Sequence, residues 1–294
     1  MSKNYCFVKN YLSLIKFSHT IFALPFALLG FVVAINSDTP NWDWKLLVMV
    51  VLCMVFARSA AMAFNRYLDR DIDAKNPRTA VREIPSGIIS ANSALAFTLI
   101  SAGLFVATTW FINPICFYLS WVALAVVLGY SYTKRFTPLC HFVLGLGLAL
   151  APIGAYLAVT GKFALLPILL SVAVLLWVSS FDIIYALQDE EFDKNHQLNS
   201  IPAYLGKSRA LRLSEILHFV CALVVIFFTW QISRFYAPIG TLSLVAVIFF
   251  CALLVYQHLL VKPNDLRRVN LAFFTTNGVA SLIFCGTIIL DFFF

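Results

Sequence analysis

Nine of the fourteen acidic residues in this 294-residue chain fall in two short windows. The first reads Asn65-Arg-Tyr-Leu-Asp69-Arg-Asp71-Ile-Asp73, with Glu83 following. The second reads Asp182-Ile-Ile-Tyr185-Ala-Leu-Gln188-Asp189-Glu190-Glu191-Phe-Asp193. Each carries a polar side chain at every fourth position: Asn65, Asp69, Asp73 in one, and Tyr185, Asp189, Asp193 in the other. On a helix, four residues drift by about 40° and rise about 6 Å, so each triplet forms one ridge. Carboxylates bind hard cations, and Mg²⁺ typically takes one or two of them together with substrate phosphates. The second window holds five acids against one base up to Lys194. It repels a bare diphosphate and retains one only through a bridging metal. The nearby cations Arg78, Arg82, Lys134 and Arg135 suit phosphate oxygens directly. Arg58 and Asp182 lie about two turns deeper than Asn65 and Asp189, where an ionisable group is costly and marks function by default. The plainer reading is a solvated helix end, although acids at a C-terminal end oppose the macrodipole. Two clusters with the same step argue against it. Spacing alone leaves open a metal-dependent enzyme and a cation transporter.

The elements that must position these residues are membrane helices. Hydrophobic residues make up 61% of the chain and charged residues 12%, against about 25% in a soluble protein. Nine apolar segments are long enough to span a bilayer. They run roughly over Tyr11–Ile35, Lys45–Leu68, Ala91–Phe111, Ile115–Thr133, Cys140–Thr160, Phe163–Leu187, Leu211–Ile232, Pro238–Leu260 and Val269–Leu290. Their unbroken apolarity excludes outer-membrane strands, which alternate. With the N-terminus in the cytoplasm, 14 lysines and arginines fall in cytoplasmic segments and 3 outside, a strong positive-inside pattern. The C-terminus then faces outward. The net charge of +7 therefore reflects topology rather than nucleic-acid binding. Four helices separate the two windows, so both ridges are expected on the cytoplasmic face. They read as halves of a weak internal repeat, roughly 11–133 and 138–260, meeting at one site in a single domain, 1–294, with a ninth helix at 269–290. The seven cysteines lack paired spacing and read as small buried hydrophobes.

At these residues the chain resembles the UbiA superfamily of intramembrane prenyltransferases. The stretch from Asn65 through Asp69, Asp73, Arg78 and Arg82 to Pro85-Ser86-Gly87 resembles the first aspartate-rich motif. The stretch from Asp182 to Asp193 resembles the second. Tyr130-Ser-Tyr-Thr-Lys134-Arg135 and Arg58 also match. The resemblance runs from Lys16 to Gly206. One departure is Arg66, where many members carry an acid after the asparagine.

The resemblance implies an all-α fold of nine transmembrane helices around a central cavity, with the active site at the cytoplasmic face. It implies Mg²⁺-dependent loss of diphosphate and transfer of a polyprenyl group from a polyprenyl diphosphate to an aromatic acceptor. The best match is the 4-hydroxybenzoate polyprenyltransferase-like branch of ubiquinone or menaquinone biosynthesis, in a bacterial cytoplasmic membrane. Acceptors such as a futalosine-pathway acid, a naphthoate or a haem stand as alternatives. Asp69, Asp73, Asp189 and Asp193, with Asn65, are the expected Mg²⁺ ligands. Asp182 joins the metal network or positions the acceptor. Arg58 pairs with the acceptor's carboxylate or with a helix acid. Arg78, Arg82, Lys134 and Arg135 bind diphosphate or anchor the loops. Tyr130 and Tyr185 stabilise an allylic cation through their ring faces. Lys16, near His19, lines the cavity, and Glu190 and Glu191 read as solvated loop charges. Membrane lipid is the only other partner expected, and oligomeric state is not legible in the sequence.

Overall fold

The computed structural model describes residues 10–15, 22–37, 42–236 and 240–293. Its elements are α1 (Leu24–Ile35), α2 (Trp44–Leu68), α3 (Arg70–Asp73), α4 (Ala91–Trp110), α5 (Pro114–Thr133) and α6 (Cys140–Thr160). There follow α7 (Leu165–Ala186), α8 (Glu190–Asn195), α9 (Ile201–Leu205), α10 (Lys207–Phe235), α11 (Thr241–Leu260) and α12 (Thr276–Asp291). A 3₁₀ turn, Leu187–Asp189, joins α7 to α8, and a π turn, Leu271–Thr275, leads into α12. No strand occurs among the described residues, only an isolated bridge between Lys262 and Asp265. Among the described residues, eight helices are long and apolar enough to cross a membrane. They coincide with eight of the nine expected segments, and the molecule is an all-helical integral membrane protein. The first expected segment is represented by α1, which has 12 residues. Residues 16–21 of that segment lie outside the described ones, and Lys16 and His19 with them.

The chain divides into two compact units. One comprises Met1–Thr20 and Val48–Tyr132, the other Ile21–Leu47 and Thr133–Phe294. In the first unit, Leu14, Ala63, Ile84, Ile89 and Ala94 form an apolar cluster that ties the loop after α3 to α2 and α4. Ser90 ends that loop and starts α4, its hydroxyl accepting from the Ser93 N–H at 3.1 Å. This satisfies a donor the helix would otherwise leave open.

In the second unit the core is aromatic. Trp177 of α7 sits among Phe26, Phe181 and Phe250, with ring centroids 5.0–5.9 Å away. Small residues bring helices together, as they do where lipid removes any hydrophobic drive. A Cβ on Gly30 of α1 would lie 2.3 Å from the Pro152 carbonyl oxygen of α6, and one on Gly145 would lie 2.5 Å from Ser179 Oγ of α7. Between α7 and α10, Ser180 Oγ donates to the Ser214 carbonyl at 2.7 Å and Ser214 Oγ returns the bond at 3.0 Å. All six described cysteines are free thiols.

Candidate active site

In the first unit the acidic ridge is real. Asp69 has a less regular backbone (φ −89°, ψ 4°), which separates α2 from α3. The i to i+4 bonds nevertheless continue, from Asp69 N–H to Asn65 O at 2.9 Å and from Asp73 N–H to Asp69 O at 2.7 Å. Asn65 Nδ2 donates to Asp69 Oδ2 at 3.0 Å along the ridge. Both carboxylates are withdrawn from solvent, Asp69 being 2% and Asp73 4% exposed. Arg82 reaches back nine residues and places Nη1 2.7 and 2.8 Å from the two oxygens of Asp73. Arg78 is exposed, its backbone N–H bonded to Asn76 Oδ1 at 3.0 Å. The Tyr130 phenol of α5 lies within electrostatic reach of Arg58, Arg66 and Asp69. Arg58 makes no ion pair among the described residues, and its Nε has no hydrogen-bond partner. The expected residues Asn65, Asp69, Asp73, Arg82, Arg58 and Tyr130 are thus grouped in one unit. Two more members, Arg66 and Glu83, carry no role in the sequence reading, and both are buried. Glu83 accepts from Ser13 Oγ at 2.5 Å.

In the second unit Asp182 is held by a residue the spacing did not reveal. His141, at the start of α6, bonds Asp182 Oδ2 through Nδ1 at 2.7 Å. Its other nitrogen, Nε2, lies 3.3 Å from the Ile201 N–H. A backbone N–H only donates, so Nε2 accepts and the proton sits on Nδ1, donated to Asp182. Asp193 Oδ2 accepts from Ser200 Oγ at 2.7 Å, and the Asp193 carbonyl accepts from the Leu198 N–H at 2.8 Å. Lys134 and Asp189 both lie within electrostatic reach of Asp193. The Lys134 carbonyl accepts from the Asn199 N–H at 2.7 Å. Arg135 is exposed. Tyr185 stacks on Phe273, centroids 4.1 Å apart and planes at 29°, with Phe274 edge-on at 5.8 Å. This aromatic corner uses the π turn, which no periodicity announced.

One reading is corrected. Glu190 is not a solvated charge: it is 8% exposed and pairs with Lys194 Nζ at 2.6 Å and Lys207 Nζ at 3.7 Å. Glu191 is exposed, as expected. Among the described residues no three His, Cys, Asp or Glu side chains form a preassembled metal cage. Each motif instead offers a pair of carboxylates, hard oxygen donors in the number Mg²⁺ uses when phosphates complete its shell. The donor set fits that ion.

Carboxylates withdrawn from solvent and paired with arginine or lysine lie at the ends of helices apolar enough to span a membrane, the pattern of a membrane-embedded protein that handles charge. Residues 23–279 match the UbiA prenyltransferase family, and the chain belongs to that family. It is therefore a transferase rather than a transporter. It is 30% identical over 250 residues to a 4-hydroxybenzoate octaprenyltransferase of Aliivibrio fischeri (strain MJ11), covering 82% of each chain. It is equally identical over 248 residues to the enzyme of the same name from Aeromonas hydrophila, covering 84% of this chain and 83% of that one. The apo structure of a UbiA homolog from Aeropyrum pernix K1 aligns with a TM-score of 0.81 at 29% identity, over 93% of this chain and 98% of that chain. A UbiA homolog from Archaeoglobus fulgidus, solved with GPP and Mg²⁺, shares the fold at a TM-score of 0.70 and 22% identity, over 97% and 100% of the two chains.

Proposed function

We propose that this protein transfers a polyprenyl group from a polyprenyl diphosphate to an aromatic acid, 4-hydroxybenzoate, in a Mg²⁺-dependent step of ubiquinone or menaquinone biosynthesis. It would work in a bacterial cytoplasmic membrane. The observation that carries the reading is the first ridge: two buried carboxylates one helical turn apart, Asp69 held by Asn65 and Asp73 by Arg82. The curated relatives named for this reaction support it.

Asp69 and Asp73, with Asn65, and Asp189 and Asp193 in the second motif, are assigned to Mg²⁺. The ion would neutralise the diphosphate as the allylic carbon–oxygen bond breaks. Arg78, Arg82, Lys134 and Arg135 are assigned to diphosphate oxygens, where charge-assisted bonds are strongest. The Tyr130 and Tyr185 rings are assigned to the allylic cation, each worth about 0.5–2 kcal/mol. The acceptor carboxylate falls to Arg58, whose Nε has no hydrogen-bond partner and which makes no ion pair among the described residues. Asp182, fixed by His141, positions the acceptor or completes the metal network. Lys16, outside the described residues, keeps its assignment to the cavity lining. The motifs read as parts of one domain with an internal repeat, its site on the cytoplasmic face.

The test is product mass. Purified protein with Mg²⁺, a polyprenyl diphosphate and a panel of aromatic acids should yield prenylated 4-hydroxybenzoate. A folded protein that prenylates none of them would sink the reading, whereas a naphthoate or futalosine-derived product would change only the acceptor. Asp69→Ala and Asp189→Ala should each abolish turnover while expression is kept.

A further inference from the structure

Arg66 is a buried cation of the first unit that this mechanism leaves unused. It is 5% exposed, and its Nε has no hydrogen-bond partner. No ion pair reaches it among the described residues. It lies one turn before Asp69, and positions 66, 69 and 73 fall on one helical face. Its charged neighbours are Arg82, Asp73 and Glu83, with the Tyr130 phenol beside them. Both carboxylates are already engaged, Asp73 by Arg82 and Glu83 by Ser13. A guanidinium does not shed its proton. Held out of water beside a second arginine, and with no carboxylate in ion-pair contact among the described residues, it is a standing cost to the fold. An arriving anion removes that cost. The planar fork of donors matches phosphate oxygens.

We propose that Arg66 binds the donor's diphosphate directly, beside Asp69 and Asp73, and carries part of the charge that would otherwise fall to divalent metal and the loop cations. This inference rests on the prenyltransferase reading. The competing account is that Arg66 merely balances Glu83 and Asp73 within the fold.

The two accounts separate in the ligand-free protein. An unpaired buried cation destabilises, so Arg66→Gln should unfold at the same or a higher temperature than the wild type. A balancing cation stabilises, so its loss should lower that temperature. Binding gives the second readout, measured on the full chain in detergent with a slowly ionising isoprenyl thiodiphosphate. In chelator the wild type should still bind it. Arg66→Gln should bind at least about tenfold more weakly, with Arg66→Lys between them, since it keeps charge but loses the fork. Titrating Mg²⁺ back, the glutamine variant should need more metal to reach half-saturation. Equal binding by wild type and Arg66→Gln in chelator overturns the proposal. So does a wild type that binds with Mg²⁺ but not in chelator, which leaves the prenyltransferase reading intact. A wild type that binds no thiodiphosphate even in saturating Mg²⁺ overturns that reading as well.

Discussion

Glu190 and Glu191 are adjacent and chemically alike, yet one is buried against two lysines and the other faces solvent. Adjacent residues on a helix point about 100° apart, and the 3₁₀ turn at Leu187–Asp189 shifts which of the two faces inward. At 3.0 rather than 3.6 residues per turn, three residues rotate the next helix by about 60° relative to a continued α-helix. An unbroken helical wheel therefore misplaces every side chain after Asp189. Removing Glu190 strands two lysines, one of them half-buried, so Glu190→Ala should lower unfolding stability by about 1–3 kcal/mol. Glu191→Ala should stay within about 0.5 kcal/mol. Thermal melts of the two variants side by side check this, and equal losses would contradict the pairing. The same limit explains His141. It stands 41 residues from Asp182, and only the packing of α6 on α7 brings them together. What was legible at this scale was the first ridge, because a four-residue step is local, whereas the 3₁₀ turn interrupts the helix that the second ridge assumed. The partners of the ridge were not, because they arrive through loops and neighbouring helices.

Helices α2 and α4 to α7 were legible to within two residues at each end, since apolar length and flanking charge fix where a span begins and ends, whereas α10, at Lys207–Phe235, overruns the expected Leu211–Ile232 at both ends. Cys140–Thr160 has the bounds expected of it. The joints between helices carried weaker signals. Asp291, at the end of α12, caps a different helix. Its Oδ2 accepts from the Gly240 N–H and the Ser243 N–H, each at 3.0 Å, and from Ser243 Oγ at 2.6 Å. These are open donors at the N-terminus of α11, where a negative charge also meets the positive end of the helix dipole. Asp291→Ala should cost about 2 kcal/mol, at the upper end for a lost cap because the site is buried. Asp291→Asn should recover part of it. Gly30 is the second joint. A methyl group there meets the Pro152 backbone, which cannot swing aside as a side chain would. Gly30→Ala should therefore lower stability by about 1–3 kcal/mol through overpacking. Gly154, with open space around its Cβ position, is the control. Equal melting temperatures for Gly30→Ala and Gly154→Ala would remove the close-packing argument.

Over the whole molecule, charge decides topology. The loop after α2 carries Arg70, Lys75, Arg78 and Arg82, and the loops after α5 and α11 carry Lys134, Arg135, Lys262, Arg267 and Arg268. We propose that these cations hold their loops in the cytoplasm. On that orientation the segment before α2 and the end of α12 would both lie outside, whatever happens at the N-terminus. That end is where the count of spans is decided. α1 has 12 residues, about 18 Å of helix, against a hydrocarbon core of about 30 Å. Nine spans require residues 11–23 to supply the remaining length, and Lys3, Lys9 and Lys16 would then anchor that end inside. The expected outcome is clear-cut. A reporter at the N-terminus should read as cytoplasmic, one inserted at Gly161 as external, and one fused after Phe294 as external. An external N-terminus with the other two unchanged would leave eight spans. It would put Lys16 on the outer side or at its edge, away from the loops that carry both aspartate motifs, and so remove it from the substrate-binding residues.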